Sequence, residues 1–112
     1  MVRKVYNSTL AHHLLSRAQM MLWSDHVREA VFAKTDGHCA YCVASLSWEQ
    51  FGCSERQPGA WDVDRWTPQT RAKEAVDGLP NLVPACCACI AEKGEMTGEE
   101  YIARRRRQAG LT

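Results

Sequence analysis

Two short cysteine segments decide the fold of this 112-residue chain: GHCAYC at residues 37–42 and CCAC at residues 86–89. Four thiolates that arrive as two Cys-x-x-Cys pairs make a closed tetrahedral site, which Zn²⁺ fills without redox chemistry. The alternatives are a pair of disulfides or four unrelated core cysteines. We predict a structural zinc site, and its ligands are Cys39, Cys42, Cys86 and Cys89.

The length and composition of the chain limit the class of protein. A chain of 112 residues is one domain, small enough to gain stability from a bound metal. Six cysteines in a short chain could mark a secreted disulfide scaffold. However, residues 1–6 are not followed by the apolar region of a secretory signal, and no apolar stretch is long enough to span a membrane. We therefore expect a cytoplasmic protein, in which Cys53 and Cys87 are buried or inert thiols.

The N-terminal part of the chain has the periodicity of helices. Apolar residues recur at helical spacing over residues 8–23. Ser24 and Asp25 can cap a second helix, which Gly37 would stop just before the first cysteine pair. A short helical turn is expected over residues 46–51.

The C-terminal part predicts one strand and two further helices. About forty residues separate the cysteine pairs, more than the gap of a simple zinc ribbon, so additional structure is expected there. Residues 61–66 alternate as in a strand, and residues 69–80 are expected to form an exposed connection. A helix should begin within residues 86–93, and Thr-x-x-Glu at residues 97–100 is a capping box for the last helix.

Taken in order, these motifs resemble the HNH nuclease family in its branch with four zinc-bound cysteines. The family pattern is C-x-x-C, then V-D-H-x-x-P, then N-L-x-x-x-C-x-x-C-N/H-x-x-K. The resemblance covers about residues 28–103 and implies an α+β fold: a treble-clef-like ββα zinc domain at residues 28–112, preceded by an N-terminal helical region at residues 1–27. The segments that carry it are GHCAYC at 37–42, VDRWTP at 63–68, NLVPAC at 81–86 and CIAEKG at 89–94.

The resemblance also implies site residues. In the HNH family, a β-hairpin and a helix hold one divalent cation against the scissile phosphate, and a histidine activates water. Asp64 matches the aspartate that binds the metal, and Asn81 matches the asparagine that orients the loop. Asp62 lies two residues before Asp64, so both side chains share one face of a strand. This spacing favours residual binding of Mg²⁺ or Mn²⁺ at Asp64.

Two positions depart from the family pattern. Arg65 stands where the general-base histidine is expected, and an arginine stays protonated and cannot accept a proton from water. Ile90 stands where the second metal ligand is expected, and its side chain has no lone pair. His38 is a polar neighbour of Cys39, and no other histidine substitutes for the base. We expect cleavage to be weak or lost, so whether the protein is an enzyme stays open.

Basic residues predict contacts with nucleic acid phosphates, although an arginine run such as Arg104–Arg107 is usually a solvated helix end. Three tryptophans are expected to pack in the core or hairpin, with stacking on a base as the alternative; they are Trp48, Trp61 and Trp66. The residues predicted to contact phosphate are Arg65, Arg71, Lys73, Lys93, Arg104, Arg105, Arg106 and Arg107.

Two functions follow as hypotheses. The first is a nucleic-acid-binding protein, with DNA as its expected partner, that diverged from a metal-dependent endonuclease. The second is a catalytically dead HNH scaffold that acts as a protein-interaction module, for example a phage or mobile-element factor that binds a host protein.

Overall fold

The structure, a computed structural model, describes residues 23–55, 57–72 and 76–110. Within these ranges the chain forms the small α+β fold expected from the sequence. Short 3-10 turns precede each strand, at Trp48–Gln50 and Leu79–Asn81. The helices and strands are α1 (Asp25–Lys34), β1 (Trp61–Arg65), β2 (Leu82–Cys86), α2 (Cys87–Lys93) and α3 (Gly98–Gln108).

The predicted helix over residues 8–23 lies almost entirely outside the described residues. The predicted boundary between residues 27 and 28 falls inside α1, and the division into two regions stays a prediction. Within residues 23–55, 57–72 and 76–110, every helix is too short or too polar to span a bilayer.

Helix α1 begins and packs as its sequence predicts. The Ser24 hydroxyl accepts a hydrogen bond from the Val27 amide at 3.3 Å, which satisfies one of the unpaired donors of the first turn. Val31 is completely buried against the hairpin. The Lys34 ammonium donates to the Leu82 carbonyl at 2.6 Å, so the end of α1 is tied to β2.

The two strands form an antiparallel hairpin whose faces have different chemistry. Because side chains alternate along a strand, Trp61 and Val63 point to one face and Asp62 and Asp64 to the other. Trp61, Val63 and Leu82 pack with α1 in one hydrophobic cluster. On the opposite face, Asp64 contacts Tyr41 of the first cysteine segment and Lys93 of α2.

A disulfide joins Cys53 to Cys87, with their Cα atoms 5.5 Å apart. The prediction that these residues are separate inert thiols is therefore wrong. Cys87 directly follows Cys86, yet it bonds to the loop before β1, while Cys39, Cys42, Cys86 and Cys89 remain free thiols. The two cysteines are 34 positions apart in the sequence. A disulfide that closes such a loop restricts the unfolded chain, which typically stabilises a protein by about 2–4 kcal/mol.

Helix α3 begins with the predicted capping box. The Thr97 hydroxyl accepts from the Glu100 amide, and the Glu100 carboxylate accepts from the Thr97 amide. Gly98 lies flat against Trp66, where an added Cβ would be 2.2 Å from the indole ring. The Trp66 indole also donates to Glu99 at 2.8 Å. The start of α3 is thus fixed on the residue that follows β1.

Candidate functional site

The four cysteines of the two Cys-x-x-Cys pairs come together in one cluster, as the sequence predicts. All four Sγ atoms lie within 4.8 Å of one another. The first pair sits in a tight turn, in which the Cys39 amide donates to the Ala44 carbonyl at 2.8 Å. The second pair spans the end of β2 and the first turn of α2. A strand end, a helix start and a turn therefore position the thiols.

The spacing of the sulfurs fits a tetrahedral metal ion. A Zn–S distance of about 2.3 Å requires neighbouring sulfurs to lie about 3.8 Å apart in a tetrahedron. The Sγ atoms of Cys42 and Cys86 are 3.8 Å apart. Cys39 and Cys89 are almost completely buried, while Cys42 and Cys86 are half-buried. The cluster could thus hold a metal ion such as zinc in a closed, four-coordinate site.

The thiols of the cluster are electrostatically linked. The Cys89 thiol donates a hydrogen bond to Cys39, which lowers the pKa of Cys39 to about 4 and raises the pKa of Cys89. Burial is the main cause that raises the pKa of Cys42. Gathering four thiolates here is unfavourable without a compensating cation, and a divalent metal supplies that charge.

Asp64 lies in a second cluster, next to the cysteines, and it already has a cationic partner. The Tyr41 hydroxyl donates to Asp64 Oδ2 at 2.6 Å. The Lys93 ammonium lies 3.1 Å from the same oxygen and donates to the Arg65 carbonyl at 2.8 Å. Only 2% of Lys93 is exposed. A single buried ammonium therefore neutralises the aspartate that the family resemblance identifies as the metal ligand.

No additional metal ligands assemble around Asp64 in the described part of the chain. Ile90 is half-buried against the cysteine cluster, and Glu92, two residues later, accepts a hydrogen bond from Tyr101 at 2.7 Å. Among residues 23–55, 57–72 and 76–110, the four cysteines are the one group of three or more metal-binding side chains that meet.

Asp62 shares the face of Asp64, and burial raises the pKa of its carboxyl group to about 6. A hydrogen bond from the Val63 amide at 2.6 Å opposes this shift, and the charge of Asp64 adds to it. The folded protein therefore binds a proton at Asp62 more tightly than the unfolded chain does. Its contribution to stability is present below pH 4 and is lost as the pH rises through 6.

We predict that Asp62→Asn makes the protein more stable than wild type at pH 7.5, by about 2–3 kcal/mol, because the variant avoids a buried charge. The difference should shrink as the pH falls towards 5.5. Urea unfolding of the zinc-loaded protein between pH 5.5 and 8 measures it. Asp36→Asn, at an exposed site, is the control. If the difference in unfolding free energy between Asp62→Asn and wild type does not change with pH, the raised pKa of Asp62 would be contradicted.

Arg65 and Asp64 do not converge on one point. They are successive residues of β1, so their side chains leave opposite faces of the hairpin. The Arg65 Nε atom donates to Asp77 Oδ1 at 2.6 Å, and the guanidinium lies 5.3 Å from the centre of the Trp23 ring. Arg65 therefore has its own partners on the α1 side, away from Asp64.

Asn81 orders the connection between the strands. Its Oδ1 atom accepts from the Thr67 amide at 2.9 Å, and its Nδ2 atom donates to the Thr67 and Val76 carbonyls at 3.0 and 2.8 Å. All three bonds are to the backbone, which is the geometry of a loop-orienting asparagine and not that of a metal ligand.

The predicted phosphate contacts have different surroundings. Lys93 is buried, and Lys73 lies outside the described residues. Arg71 forms an ion pair with Glu100, an interaction that lowers the pKa of Glu100 to about 2. Arg104 and Arg105 lie against Tyr101, while Arg106 and Arg107 are exposed and have no ion pair within the described residues.

The structure also shows the surroundings of the three tryptophans and of His38. Trp61 is completely buried, Trp48 packs in the cluster around it, and Trp66 stacks on Tyr41 with ring centres 5.8 Å apart. His38 contacts the Thr35 carbonyl through Nδ1 at 3.1 Å, as a neighbour of the first cysteine turn.

The roles that two residues have in the site were not predicted from the sequence. Tyr41 was not singled out, although its position between Cys39 and Cys42 places it beside the metal cluster. Lys93 was read as a phosphate contact, and nothing in its local sequence reveals that it is buried against Asp64.

No family model, curated protein or solved structure matches this chain. The HNH resemblance accordingly stays a prediction from the motifs.

Proposed function

We propose that this chain is a zinc-stabilised, HNH-like domain that binds nucleic acid without efficient cleavage. The observation that carries the proposal is the placement of its cations. Lys93 neutralises Asp64 inside the fold, whereas Arg106 and Arg107 are exposed at the end of α3. The protein thus combines a closed former catalytic centre with a basic surface.

The proposed zinc has a structural role. Four cysteine ligands leave no open position for water or substrate, unlike catalytic zinc sites, which keep one. The ligands come from the turn after α1 and from the junction of β2 with α2, so one ion would link both halves of the domain. Cys39 and Cys89 lie in the same hydrophobic cluster as Ala85 and Tyr101.

The loss of efficient cleavage is supported by three features. Arg65 cannot act as a general base. Ile90 supplies no metal ligand, and Asp64 is occupied by the Lys93 ammonium at 3.1 Å. A divalent cation at Asp64 would have to displace this ammonium from a buried position. Mg²⁺ also needs several oxygen ligands, and Asp64 with the half-buried Asp62 offers few.

Nucleic acid binding is proposed for Arg106 and Arg107. Arginine donates planar pairs of hydrogen bonds that suit phosphate oxygens. Arg106 and Arg107 are exposed, and neither has an ion pair to lose among the residues that the structure describes. In contrast, Arg71 and Arg65 would first have to leave Glu100 and Asp77. The buried Lys93 has no part in this proposed surface.

We predict that the affinity for duplex DNA falls steeply with salt concentration. Each phosphate contact contributes about −0.9 to the slope of log K against log salt. Arg106→Gln with Arg107→Gln should weaken binding and make this slope less negative by up to about 1.8. A fluorescence anisotropy titration of labelled duplex between 50 and 200 mM salt, the range over which such contacts lose affinity, measures both quantities.

The matched control is Arg71→Gln, which removes an exposed arginine that is already paired with Glu100. It should change the slope much less than the double variant does. Absence of DNA binding at low salt, or an affinity that does not change with salt concentration, would contradict the nucleic acid proposal.

A protein-interaction module is the second candidate, and Val43 favours it. Val43 is 69% exposed and has a φ of +70°, a conformation that β-branched residues rarely adopt. It follows Cys42 at the outer end of the first cysteine turn. Strained backbone positions cluster at functional sites, and this candidate gains support if DNA binding is absent.

A further inference from the structure

Tyr41 lies where the cysteine cluster meets the buried ion pair of Asp64 and Lys93. It is one of the two residues between the cysteines of the first pair, and only 6% of it is exposed. Its backbone amide donates to Cys39 Sγ at 3.4 Å, and its side-chain hydroxyl donates to Asp64 Oδ2 at 2.6 Å. One residue therefore contacts both a predicted zinc ligand and the buried carboxylate.

The aromatic ring of Tyr41 is packed between residues of other segments. It stacks on Trp66, which follows β1, and it meets Tyr101 of α3 edge to face, with ring centres 5.4 Å apart. The Lys93 ammonium lies 5.9 Å from the centre of the same ring. The ring cannot turn away from Asp64 without losing these contacts.

The same contacts join the three elements that carry the cysteine ligands. Tyr41 belongs to the turn of the first cysteine pair. Asp64 lies on β1, which pairs with β2 up to the position of Cys86. Lys93 is the last residue of α2, the helix that carries Cys89. The contacts from Tyr41 through Asp64 to Lys93 therefore connect the turn, the hairpin and α2.

A zinc ion in this cluster would require its ligands to be held in one arrangement. Four thiolates around one Zn²⁺ leave about two net negative charges, so hydrogen bonds to the sulfurs stabilise such a centre and orient its ligands. The Tyr41 amide donates one such bond, to Cys39. The direction of this amide depends on the turn, and the Tyr41 side chain anchors the turn to β1 through Asp64.

We propose that Tyr41 is a positioning residue of the metal centre, which couples the buried ion pair to the Cys39 ligand. The ion pair then has a second role. Besides occupying Asp64, it braces the turn that supplies two of the four zinc ligands. The inference rests on the proposed zinc site and is independent of nucleic acid binding.

The test compares zinc affinity across full-length variants by competition with a chromophoric chelator. Tyr41→Phe keeps the ring and the backbone amide but removes the hydroxyl that donates to Asp64. It should raise the zinc Kd about 10- to 100-fold, the usual loss when an outer-shell partner of a metal ligand is removed. Asp64→Leu should also raise the Kd, because it removes the acceptor of this bond. Asp64→Asn keeps an oxygen acceptor and should retain more of the affinity.

A double-mutant cycle tests whether Tyr41 and Asp64 act through one contact. Tyr41→Phe and Asp64→Leu break the same hydrogen bond, so the double variant should raise the zinc Kd by less than the product of the two single effects. Effects on the Kd that simply multiply would show that the two residues act separately, and they would overturn the coupling.

Substitution of Co²⁺ for zinc separates positioning of the ligands from a general loss of stability. The sulfur-to-cobalt charge-transfer band should shift in Tyr41→Phe, because the Cys39 ligand is oriented differently. Val31→Ala is the matched control, since Val31 is completely buried in the other hydrophobic cluster, on the α1 side of the hairpin. Val31→Ala should lower thermal stability and leave the band unchanged.

Equal zinc affinity and equal cobalt spectra in wild type and Tyr41→Phe would overturn the role of Tyr41 while leaving the zinc site intact. A wild-type chain that takes up no zinc would overturn the zinc site itself and this inference with it.

Discussion

Cys39→Ser or Cys86→Ser is expected to unfold the protein or to destabilise it severely. Each substitution removes one of four ligands from the cluster that joins the turn after α1 to α2. Binding of a structural zinc contributes about 10 kcal/mol or more in small domains, and the whole stability of a domain is about 5–15 kcal/mol. A strong chelator should have the same effect on the wild-type protein, as measured by circular dichroism.

Cys53→Ser is the matched control for this first prediction. It removes a cysteine that bonds to Cys87 and lies outside the metal cluster. Its expected cost is that of the lost disulfide, about 2–4 kcal/mol, and the variant should still bind one zinc per chain. A purified, folded protein that contains no metal would contradict the proposed structural zinc.

Lys93→Met is expected to destabilise the protein by about 3–5 kcal/mol, because it leaves the Asp64 carboxylate in a largely buried position without its cation. The Arg65 carbonyl also loses the hydrogen bond that the ammonium donates at 2.8 Å. Urea unfolding at pH 7.5 in excess zinc measures the change in the free energy of unfolding.

A second substitution separates the lost ion pair from lost packing. Asp64→Asn removes the charge but retains an oxygen that can accept from the Tyr41 hydroxyl. The double variant Lys93→Met with Asp64→Asn should therefore be more stable than Lys93→Met alone. Arg71→Met, which breaks the exposed pair with Glu100, should cost far less than Lys93→Met. Equal losses of unfolding free energy in Lys93→Met and Arg71→Met would contradict a stabilising role of the buried ion pair.

The sequence predicted those features that depend on local spacing. The cysteine pairs, the capping box at Thr97 and Glu100, and the alternation of Asp62 and Asp64 all follow from intervals of two or three residues. Such intervals fix the direction of a side chain once the element is known. The four-cysteine cluster and the α+β architecture could therefore be predicted from the sequence.

The sequence could not predict contacts between distant segments. The disulfide joins residues 34 positions apart. The Cys-x-x-Cys spacing leaves Cys87 out of the predicted metal ligands, but it does not reveal that Cys87 bonds to Cys53. The pairing of Lys93 with Asp64 depends on how α2 crosses the hairpin. Both features arise from packing, for which local propensity carries no signal.

Counting basic residues was also an incomplete guide to the surface. The sequence treats Arg104–Arg107 as one run, but the geometry of α3 divides it, since Arg105 contacts Tyr101 and Arg106 does not. Acidic partners such as Glu100 and Asp77 come from other segments and neutralise Arg71 and Arg65. Only the folded chain separates paired arginines from those that remain exposed.

The most direct test of the account is a single incubation of the zinc-loaded protein with labelled duplex DNA and Mg²⁺, Mn²⁺ or Ni²⁺, in which binding and cleavage are measured together. Loss of a general base alone typically lowers the rate about 10²- to 10⁴-fold. We predict salt-sensitive binding with the DNA left intact. Robust Mg²⁺-dependent cleavage by the wild-type protein, abolished by Asp64→Ala, would contradict the account.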